Sequence, residues 1–313
     1  MAIKGFRPQS VATNGIHLSV HRGGAGAPLI LLHGYPQTHM AWEKVAPAFA
    51  DEFDVIVPDL RGYGDSDVPP NDPDNHAYSK REMARDIVGL MDALGLDRAH
   101  VLGHDRGARV AYRMALDHPD RLARLGIIEV VPTGDFWRAW NADLALKAYH
   151  WTFLAQPRPL PERMILADGP AYIDWTLASW TRSGDLSAFS EEALSAYRAQ
   201  AADPERVGAM CNDYRAGATV DRAHDEADRA AGARISAPLK FVWSEGGFPA
   251  RTGDPLGLWL RWARNVSGEE IAGAGHFAMD EAPDAVLSAF LQPLKTPFIW
   301  NSMRTPSGKA SSG

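Results

Sequence analysis

The stretch Val101-Leu102-Gly103-His104-Asp105-Arg106-Gly107 joins a short apolar run to a helical run through a corner with glycine on both sides of an aspartate. The pattern small-x-nucleophile-x-small is typical of a nucleophile elbow, a strand–turn–helix corner that exposes its central side chain. Serine at the centre would predict an acyl hydrolase. Aspartate at position 105 instead predicts a nucleophile that forms an ester with the substrate, which water must then cleave.

Short apolar runs bounded by turn signals continue on both sides of the elbow. Leu29–His33 and Phe53–Val57 predict buried parallel strands, and residues 125–131 predict the strand after the elbow helix. Ser79-x-x-Glu82 is a capping box that predicts a helix through about Leu94. The alternation of strand and helix predicts an α/β fold with a mostly parallel, doubly wound sheet.

The strand rhythm stops after Val131 and resumes at Leu239–Trp243. Residues 132–231 contain helical stretches rich in Trp, Tyr and Ala, which predicts an all-helical cap inserted into an α/β core made of residues 1–131 and 232–295. Residues 296–313 end in a run of Ser, Gly, Pro and Thr that cannot bury much surface, so a mobile tail is expected there.

Composition limits the function. The chain has 313 residues, 45% of them hydrophobic, and a net charge of −7, which argues against nucleic acid or an anionic membrane surface as a partner. The single cysteine, Cys211, excludes an intrachain disulfide and fits a reducing compartment. With no signal-peptide pattern after Met1 and no apolar run of membrane-spanning length, we expect a cytoplasmic protein.

The glycines of residues 23–26 raise the alternative of a nucleotide-binding loop. A phosphate-binding loop needs a strand before the glycines and a helix after them, whereas here a strand follows. A hairpin turn is therefore the favoured interpretation.

An ester on Asp105 needs a base to activate water, and His276, in Gly275-His276-Phe277 near the end of the core, is the favoured candidate. It follows the chain order nucleophile, acid, histidine. The acid that orients its imidazole is assigned to Glu129, after the strand that follows the elbow, with Glu245 as the rival and Asp254 as a weaker one. The predicted oxyanion hole consists of the backbone N–H groups of Tyr35 and Arg106.

Arg106 and Arg109 lie three residues apart, so they share one face of the predicted elbow helix. Two cations beside a helix N-terminus are unfavourable unless anions neutralise them. One interpretation pairs Arg106 with Asp105 and Arg109 with a cap carboxylate. The other has both guanidinium groups bind a substrate carboxylate in bidentate fashion.

The cap offers His150, Trp151 and Tyr214, whose ring N–H and O–H groups suit a departing halide anion because they bring no carboxylate with them. Core packing is the ordinary alternative for such aromatic residues.

With these residues, the chain resembles the fluoroacetate (haloacetate) dehalogenases of the α/β-hydrolase superfamily, over about residues 5–295. The resemblance implies that Asp105 is the nucleophile, that His276 is the base, and that Arg106 and Arg109 bind the substrate carboxylate. It also implies no cofactor or metal, a homodimer, and a small haloacid as substrate. The motifs that carry it are His33-Gly34-Tyr35-Pro36-Gln37, Asp59-Leu60-Arg61-Gly62-Tyr63-Gly64, Gly103-His104-Asp105-Arg106-Gly107-Ala108-Arg109, His150-Trp151, Asp213-Tyr214-Arg215-Ala216-Gly217 and Gly275-His276-Phe277.

In the same resemblance His150, Trp151 and Tyr214 hold the halide and Trp180 lines the pocket. One departure is Glu129, where the family usually has aspartate. The extra methylene is expected to displace the carboxylate and weaken the orientation of His276 unless the backbone compensates.

Three alternatives remain open. An epoxide hydrolase has the same Asp and His but needs two cap tyrosines, for which Tyr214 and Tyr149 are the candidates. A haloalkane dehalogenase is expected to carry a halide-binding aromatic residue directly after the nucleophile, where Arg106 stands. A ligand receptor without enzymatic activity would tolerate the change at Glu129.

Overall fold

The computed structural model describes residues 2–295, so the tail expected at 296–313 lies outside the described residues. Eight strands form a single sheet in the order β1-β2-β4-β3-β5-β6-β7-β8. The strands are β1 (Arg7–Thr13), β2 (Ile16–Gly24), β3 (Ala27–Leu32), β4 (Phe53–Pro58), β5 (Ala99–His104), β6 (Leu122–Ile128), β7 (Leu239–Ser244) and β8 (Val266–Ile271).

Strands β3 to β8 pair in parallel, whereas β1 and β2 are antiparallel to their neighbours. The sheet therefore has the α/β architecture that the alternating pattern predicts. The central strands are buried on both faces, as parallel strands covered by helices must be.

Fourteen α-helices are described within residues 2–295. They are α1 (Ala46–Ala50), α2 (Lys80–Ala93), α3 (Asp105–Asp117), α4 (Thr133–Arg138), α5 (Ala142–Lys147), α6 (His150–Leu154), α7 (Leu160–Ala167), α8 (Gly169–Trp180), α9 (Glu191–Ala202), α10 (Pro204–Ala218), α11 (Val220–Ala230), α12 (Pro255–Trp262), α13 (Ala278–Glu281) and α14 (Pro283–Lys295).

Helix α2 begins where the capping box predicts. The Ser79 hydroxyl accepts a hydrogen bond from the Glu82 amide at 3.2 Å, so one orphan N–H of the first turn is satisfied. The reciprocal half of the box is replaced, because the Glu82 carboxylate accepts from Asn14 in the loop between β1 and β2. This bond ties the edge of the sheet to α2.

Neighbouring strands β6 and β7 are separated in sequence by residues 129–238, and α4 to α11 all fall in that interval. This excursion is the reason for proposing a helical cap at 132–231. Among residues 2–295, no helix combines the length and apolar composition that crossing a bilayer would require.

The hairpin interpretation of residues 23–26 is wrong. These residues lead from β2 into β3, but the two strands are not neighbours, because β4 lies between them and pairs with both. Gly24 has φ of +80°, and a Cβ there would lie 2.2 Å from the Phe53 carbonyl oxygen. The glycines therefore let the chain cross closely over the start of β4.

Candidate active site

The elbow is a tight turn in which positions 103 and 107 leave no room for a side chain. Asp105 follows β5 directly and has a φ of +44°, a left-handed conformation that is strained for a residue with a side chain. A Cβ on Gly103 would lie 2.6 Å from Ala108 Cα, and one on Gly107 would lie 2.3 Å from the Leu32 carbonyl oxygen. These two glycines let α3 start against β5 and β3, with Asp105 at the tip.

The Asp105 carboxylate is held by the turn after β3. The Tyr35 amide donates a hydrogen bond to Asp105 Oδ1 at 2.9 Å, as the predicted oxyanion hole requires of that residue. A Cβ on Gly34 would lie 2.4 Å from Asp105 Cβ, so the turn reaches this position only because residue 34 has no side chain. Oδ2 remains on the side that faces His276.

The structure brings His276 and Glu129 to the same carboxylate. His276 Nε2 lies 3.9 Å from Asp105 Oδ2 and forms no hydrogen bond within the described part of the chain. On the opposite edge of the ring, Nδ1 lies 3.4 Å from Glu129 Oε2. The order carboxylate, imidazole, carboxylate is the arrangement in which the second acid orients a base toward a nucleophile.

Burial controls the protonation of this pair. Both side chains are almost completely buried, and desolvation lowers the pKa of His276 well below its ordinary value, with nearby His104, Lys147 and Arg109 acting in the same direction. Desolvation likewise raises the pKa of Glu129 well above its ordinary value. The imidazole is therefore neutral and able to accept a proton.

The rival acids lie elsewhere. Glu245 is half-exposed, accepts from the Gly273 amide at 3.3 Å and lies 3.8 Å from Arg182. Asp254 caps α12 by accepting from the Gly257 amide. Neither contacts His276, which leaves Glu129 as the acid that the geometry favours.

The two arginines of the elbow helix have different surroundings. Arg106 Nη2 donates to Asp213 Oδ1 at 2.5 Å, and its Nε lies 3.1 Å from Asp213 Oδ2. Asp213 also accepts from the Lys80 ammonium group and from the Tyr63 hydroxyl, the latter at 2.9 Å. The interpretation that pairs Arg106 with Asp105 and Arg109 with a cap carboxylate is therefore wrong for Arg106, whose carboxylate partner is Asp213.

Charge balance fixes the protonation of that cluster. Burial opposes ionisation of Asp213, but Arg106 and Lys80 outweigh it and hold the pKa of Asp213 well below its ordinary value. Burial also opposes the charge on Arg106, and Asp213 outweighs it, so the pKa of Arg106 is raised. Of the Arg106 nitrogens, Nη1 has no hydrogen-bond partner among residues 2–295.

Among residues 2–295, no carboxylate lies within ion-pair distance of the buried Arg109 guanidinium, although the charge of Asp105 acts on it from farther away. Its Nη1 donates to the Val131 carbonyl and the Thr133 hydroxyl, both at 3.0 Å, but no carboxylate of the described residues forms an ion pair with it. Its Nε has no hydrogen-bond partner in the same range. Desolvation lowers the pKa of Arg109, although a guanidinium group stays charged at neutral pH.

A small cavity opens beside this guanidinium. Asp105, Arg109 and Glu129 line it together with Phe136, Trp151 and Phe248. The Arg109 guanidinium carbon lies 4.5 Å from the centre of the Trp151 ring, a cation–π contact that holds the charge in place without neutralising it. An anion that entered the cavity would supply the missing partner.

The aromatic residues predicted to hold the halide are all buried and close together. The His150 and Tyr214 rings are 5.4 Å apart, the Trp151 and Tyr214 rings 5.7 Å, and the His150 and Trp180 rings 4.3 Å. The Tyr214 hydroxyl and His150 Nδ1 have no hydrogen-bond partner within residues 2–295. Burial raises the pKa of Tyr214 and lowers that of His150, so both groups are neutral.

Tyr149, the second tyrosine of the epoxide alternative, is directed elsewhere. Its ring stacks on Phe153 at 6.2 Å and meets Trp175 edge-on at 5.6 Å, and its hydroxyl interacts with Tyr172 and Thr176. In the sequence it adjoins His150, but the helix turn separates their directions. Of the two, His150 is the residue that faces Tyr35, Tyr214 and Trp180.

The parallel sheet, the aspartate at the elbow and the histidine after the last strand define a hydrolase of the α/β-hydrolase family, to which this chain belongs. Residues 27–283 match the family model described as the alpha/beta hydrolase fold.

Two similar proteins and one similar solved structure cover nearly the whole chain. The chain is 36% identical to the fluoroacetate dehalogenase of Burkholderia sp, covering 94% of this chain and 96% of that protein. It is 32% identical to a soluble epoxide hydrolase of Corynebacterium sp. (strain C12), covering 90% and 96% respectively. The crystal structure of ALR0039 from Nostoc sp PCC 7120 superposes with a TM-score of 0.90 at 42% identity, covering 94% of this chain and all of that one.

Sequence reasoning missed the role of Asp213 as the counter-ion of Arg106. Asp213 closely follows the apolar run Val207–Cys211, and such a position is a signal of a buried ion pair, because an unpaired carboxylate is too costly to bury. The partners Lys80 and Tyr63 lie more than a hundred residues away, so no local pattern identifies them.

Proposed function

We propose that this protein hydrolyses the carbon–halogen bond of small 2-haloacids such as fluoroacetate or chloroacetate, releasing glycolate and halide. The observation that carries the proposal is Arg109, a fully buried guanidinium group with no ion-pair partner in residues 2–295, beside the Asp105 carboxylate. A buried charge without a partner costs several kcal/mol. A substrate carboxylate would remove that cost, whereas an uncharged haloalkane would not.

In the first step Asp105 Oδ2 attacks the carbon that bears the halogen. The new C–O bond replaces the C–X bond, and the halide leaves with the bonding electron pair. Arg109, aided by Arg106 Nη1, binds the substrate carboxylate and so fixes the carbon in line with Asp105. His150, Trp151 and Tyr214 donate to the departing halide, while Trp180 lines the pocket.

In the second step His276 takes a proton from water, and the hydroxide adds to Cγ of Asp105. Negative charge then develops on Oδ1, which already accepts from the Tyr35 amide, with the Arg106 amide as the second proposed donor. Collapse of this intermediate breaks the ester C–O bond, and the proton returns from His276 to the product alkoxide. Asp105 is left as a carboxylic acid with one oxygen from water, and loss of its proton to solvent regenerates the carboxylate.

The decisive experiment measures halide release from fluoroacetate, chloroacetate and 2-chloropropionate with ion-selective electrodes, beside 1-chlorobutane and styrene oxide. We expect release from the haloacids and none from D105N. A single turnover in H₂¹⁸O should place the label in the peptide that contains Asp105. Turnover of styrene oxide without halide release from any acid would reject the proposal.

An epoxide hydrolase is the second candidate, favoured by one observation. The buried Tyr214 hydroxyl has no hydrogen-bond partner in the described residues and could donate to an epoxide oxygen, and the Corynebacterium relative carries that activity in its name. Against it stands the buried Arg109 guanidinium, which has no ion-pair partner among residues 2–295 and which an epoxide does not need. Competition by chloroacetate for styrene oxide turnover would reveal a carboxylate site in either case.

The homodimer that the resemblance implies remains a prediction. Light scattering coupled to size-exclusion chromatography checks it, because a dimer doubles the mass of the 34.1 kDa chain.

A further inference from the structure

The loop after β7 meets the Glu129 carboxyl group at Gly247. A Cβ atom on Gly247 would lie 2.0 Å from Glu129 Oε2, 2.6 Å from Cδ and 2.7 Å from Oε1. Non-bonded carbon and oxygen atoms do not approach so closely. A side chain at position 247 and the present position of the Glu129 carboxyl group therefore exclude each other.

The site does not need the conformational freedom of a glycine at position 247. The φ angle of Gly247 lies outside the left-handed region, and its amide donates to the Ser244 carbonyl at 3.0 Å in an ordinary turn. Any residue could adopt that conformation. What matters at position 247 is the missing side chain.

The length of Glu129 explains the requirement. Glutamate carries its carboxyl group one C–C bond, about 1.5 Å, farther from the backbone than aspartate does. Both of its oxygens are used here, since Oε1 accepts from the Ser244 amide and Oε2 lies 3.4 Å from His276 Nδ1. The face of the carboxyl group that is left lies against Gly247.

We propose that Gly247 is a positioning residue, which by lacking a side chain lets the longer acid Glu129 reach and orient His276. The Glu129 carboxyl group and a side chain at position 247 would occupy the same space. A shorter acid at position 129 would therefore leave room for a methyl group at position 247. This inference rests on the two-step mechanism proposed above, in which His276 acts in ester hydrolysis and Asp105 alone forms the ester.

The test compares G247A, E129D and the double variant by rapid-quench kinetics with chloroacetate. G247A should keep a burst of one halide per site, because ester formation does not use His276, while its steady-state rate falls by about 10²-fold, the scale expected when a catalytic group is misplaced by 1 Å. Intact-mass measurement should then show the accumulated ester. In E129D/G247A the steady-state rate should recover at least tenfold relative to G247A.

Gly246 supplies the matched control. It precedes Gly247 in the same loop, but a Cβ there would lie 3.1 Å from the Ala274 carbonyl oxygen, and none of its three nearest atoms belongs to Glu129. We expect G246A to hydrolyse the ester at the wild-type rate. Circular dichroism melts of all four variants establish that each is folded.

Three results would overturn the inference: a steady-state rate of G247A within twofold of wild type, a burst lost together with the steady state, or a double variant no faster than G247A. Failure of the proposed function is distinguishable. If the wild-type protein opens styrene oxide but releases no halide, the same burst ratios are measured with styrene oxide, which forms an ester on the same aspartate.

Discussion

The Arg106 guanidinium and the Asp213 carboxylate form an ion pair at 2.5 Å in which both side chains are completely buried. The pair joins the helix that begins at the elbow to α10 in the proposed cap. Arg109, one turn further along α3, has the same burial but no carboxylate partner among residues 2–295. The two arginines are equivalent in the sequence pattern but differ in the structure. Arg106 is paired with a carboxylate of the protein, whereas Arg109 has no such partner among the described residues.

Removing the Arg109 guanidinium group should weaken substrate binding. We expect Arg109→Leu to raise the KM for chloroacetate on the order of 10²-fold, because truncating one partner of a buried charge pair costs about 2–5 kcal/mol. Arg109→Lys should recover part of the loss, since it keeps the charge but not the fork of donors. Steady-state halide release gives both values. Arg163→Leu, an exposed position on α7, is the control, and an unchanged KM in Arg109→Leu would refute the carboxylate site.

Neutralising Asp213 should destabilise the fold. In Asp213→Asn the buried Arg106 guanidinium loses its carboxylate partner and Lys80 keeps only Asp221, at 3.7 Å, so we expect a loss of about 3–5 kcal/mol in the free energy of unfolding. Urea denaturation measures it. The control is Asp174→Asn, which removes a partly exposed ion pair with Arg198 and should cost under about 1 kcal/mol. Equal losses in the two variants would contradict the assignment.

The Tyr214 hydroxyl should matter for chemistry and little for stability. It makes no hydrogen bond within the described chain, so Tyr214→Phe should leave the melting temperature nearly unchanged while slowing fluoride release by roughly 10²-fold, the cost of one donor to developing charge. Chloride release should suffer less, because the larger ion is less charge-dense.

Tyr78→Phe gives the opposite pattern and serves as the comparison. That buried hydroxyl donates to the Pro69 carbonyl at 2.6 Å, so its loss should lower the free energy of unfolding by about 1 kcal/mol and leave halide release intact. If Tyr214→Phe behaved like Tyr78→Phe, the halide role would be wrong.

The pH dependence follows from the direction of the His276 pKa. Burial lowers that pKa below the ordinary value of 6.5, so the neutral base persists as the pH falls through 6.5 and is lost only at lower pH. Steady-state hydrolysis should therefore stay level from pH 8 to below 6.5, and then decline. The burst of halide, which does not use His276, should not decline with it. A midpoint at or above pH 6.5 in the steady-state rate would contradict the neutral buried imidazole.

The central strands were predictable because each is an apolar run followed by a turn signal. Strands β1, β2 and β8 were not predicted. In β1 and β8, at the two edges of the sheet, most side chains are exposed or half-exposed, so no continuous apolar run marks them. The hairpin interpretation of residues 23–26 failed for a different reason. The turn residues do not show whether the strands before and after them pair with each other, and here β4 lies between those strands.

Part of the candidate site was also predictable from the sequence. A carboxylate between glycines and a histidine near the end of the core identify candidates for nucleophile and base, whereas the choice between Glu129 and Glu245 depends on which loop faces the imidazole. The difference between Arg106 and Arg109 depends on Asp213, which approaches from a helix about a hundred residues later. The place of Gly247 depends on a contact with Glu129 that no local pattern encodes.

By itself, the sequence determined the α/β alternation, the strained corner that holds Asp105, and the residue types available for its chemistry, because backbone conformation and apolar periodicity are local properties of the chain. Tertiary structure alone decided which acid faces His276, which arginine is neutralised, and which tyrosine turns away from the site. Those outcomes depend on distances between segments brought together by packing, and electrostatic energy in a buried site is set by such distances.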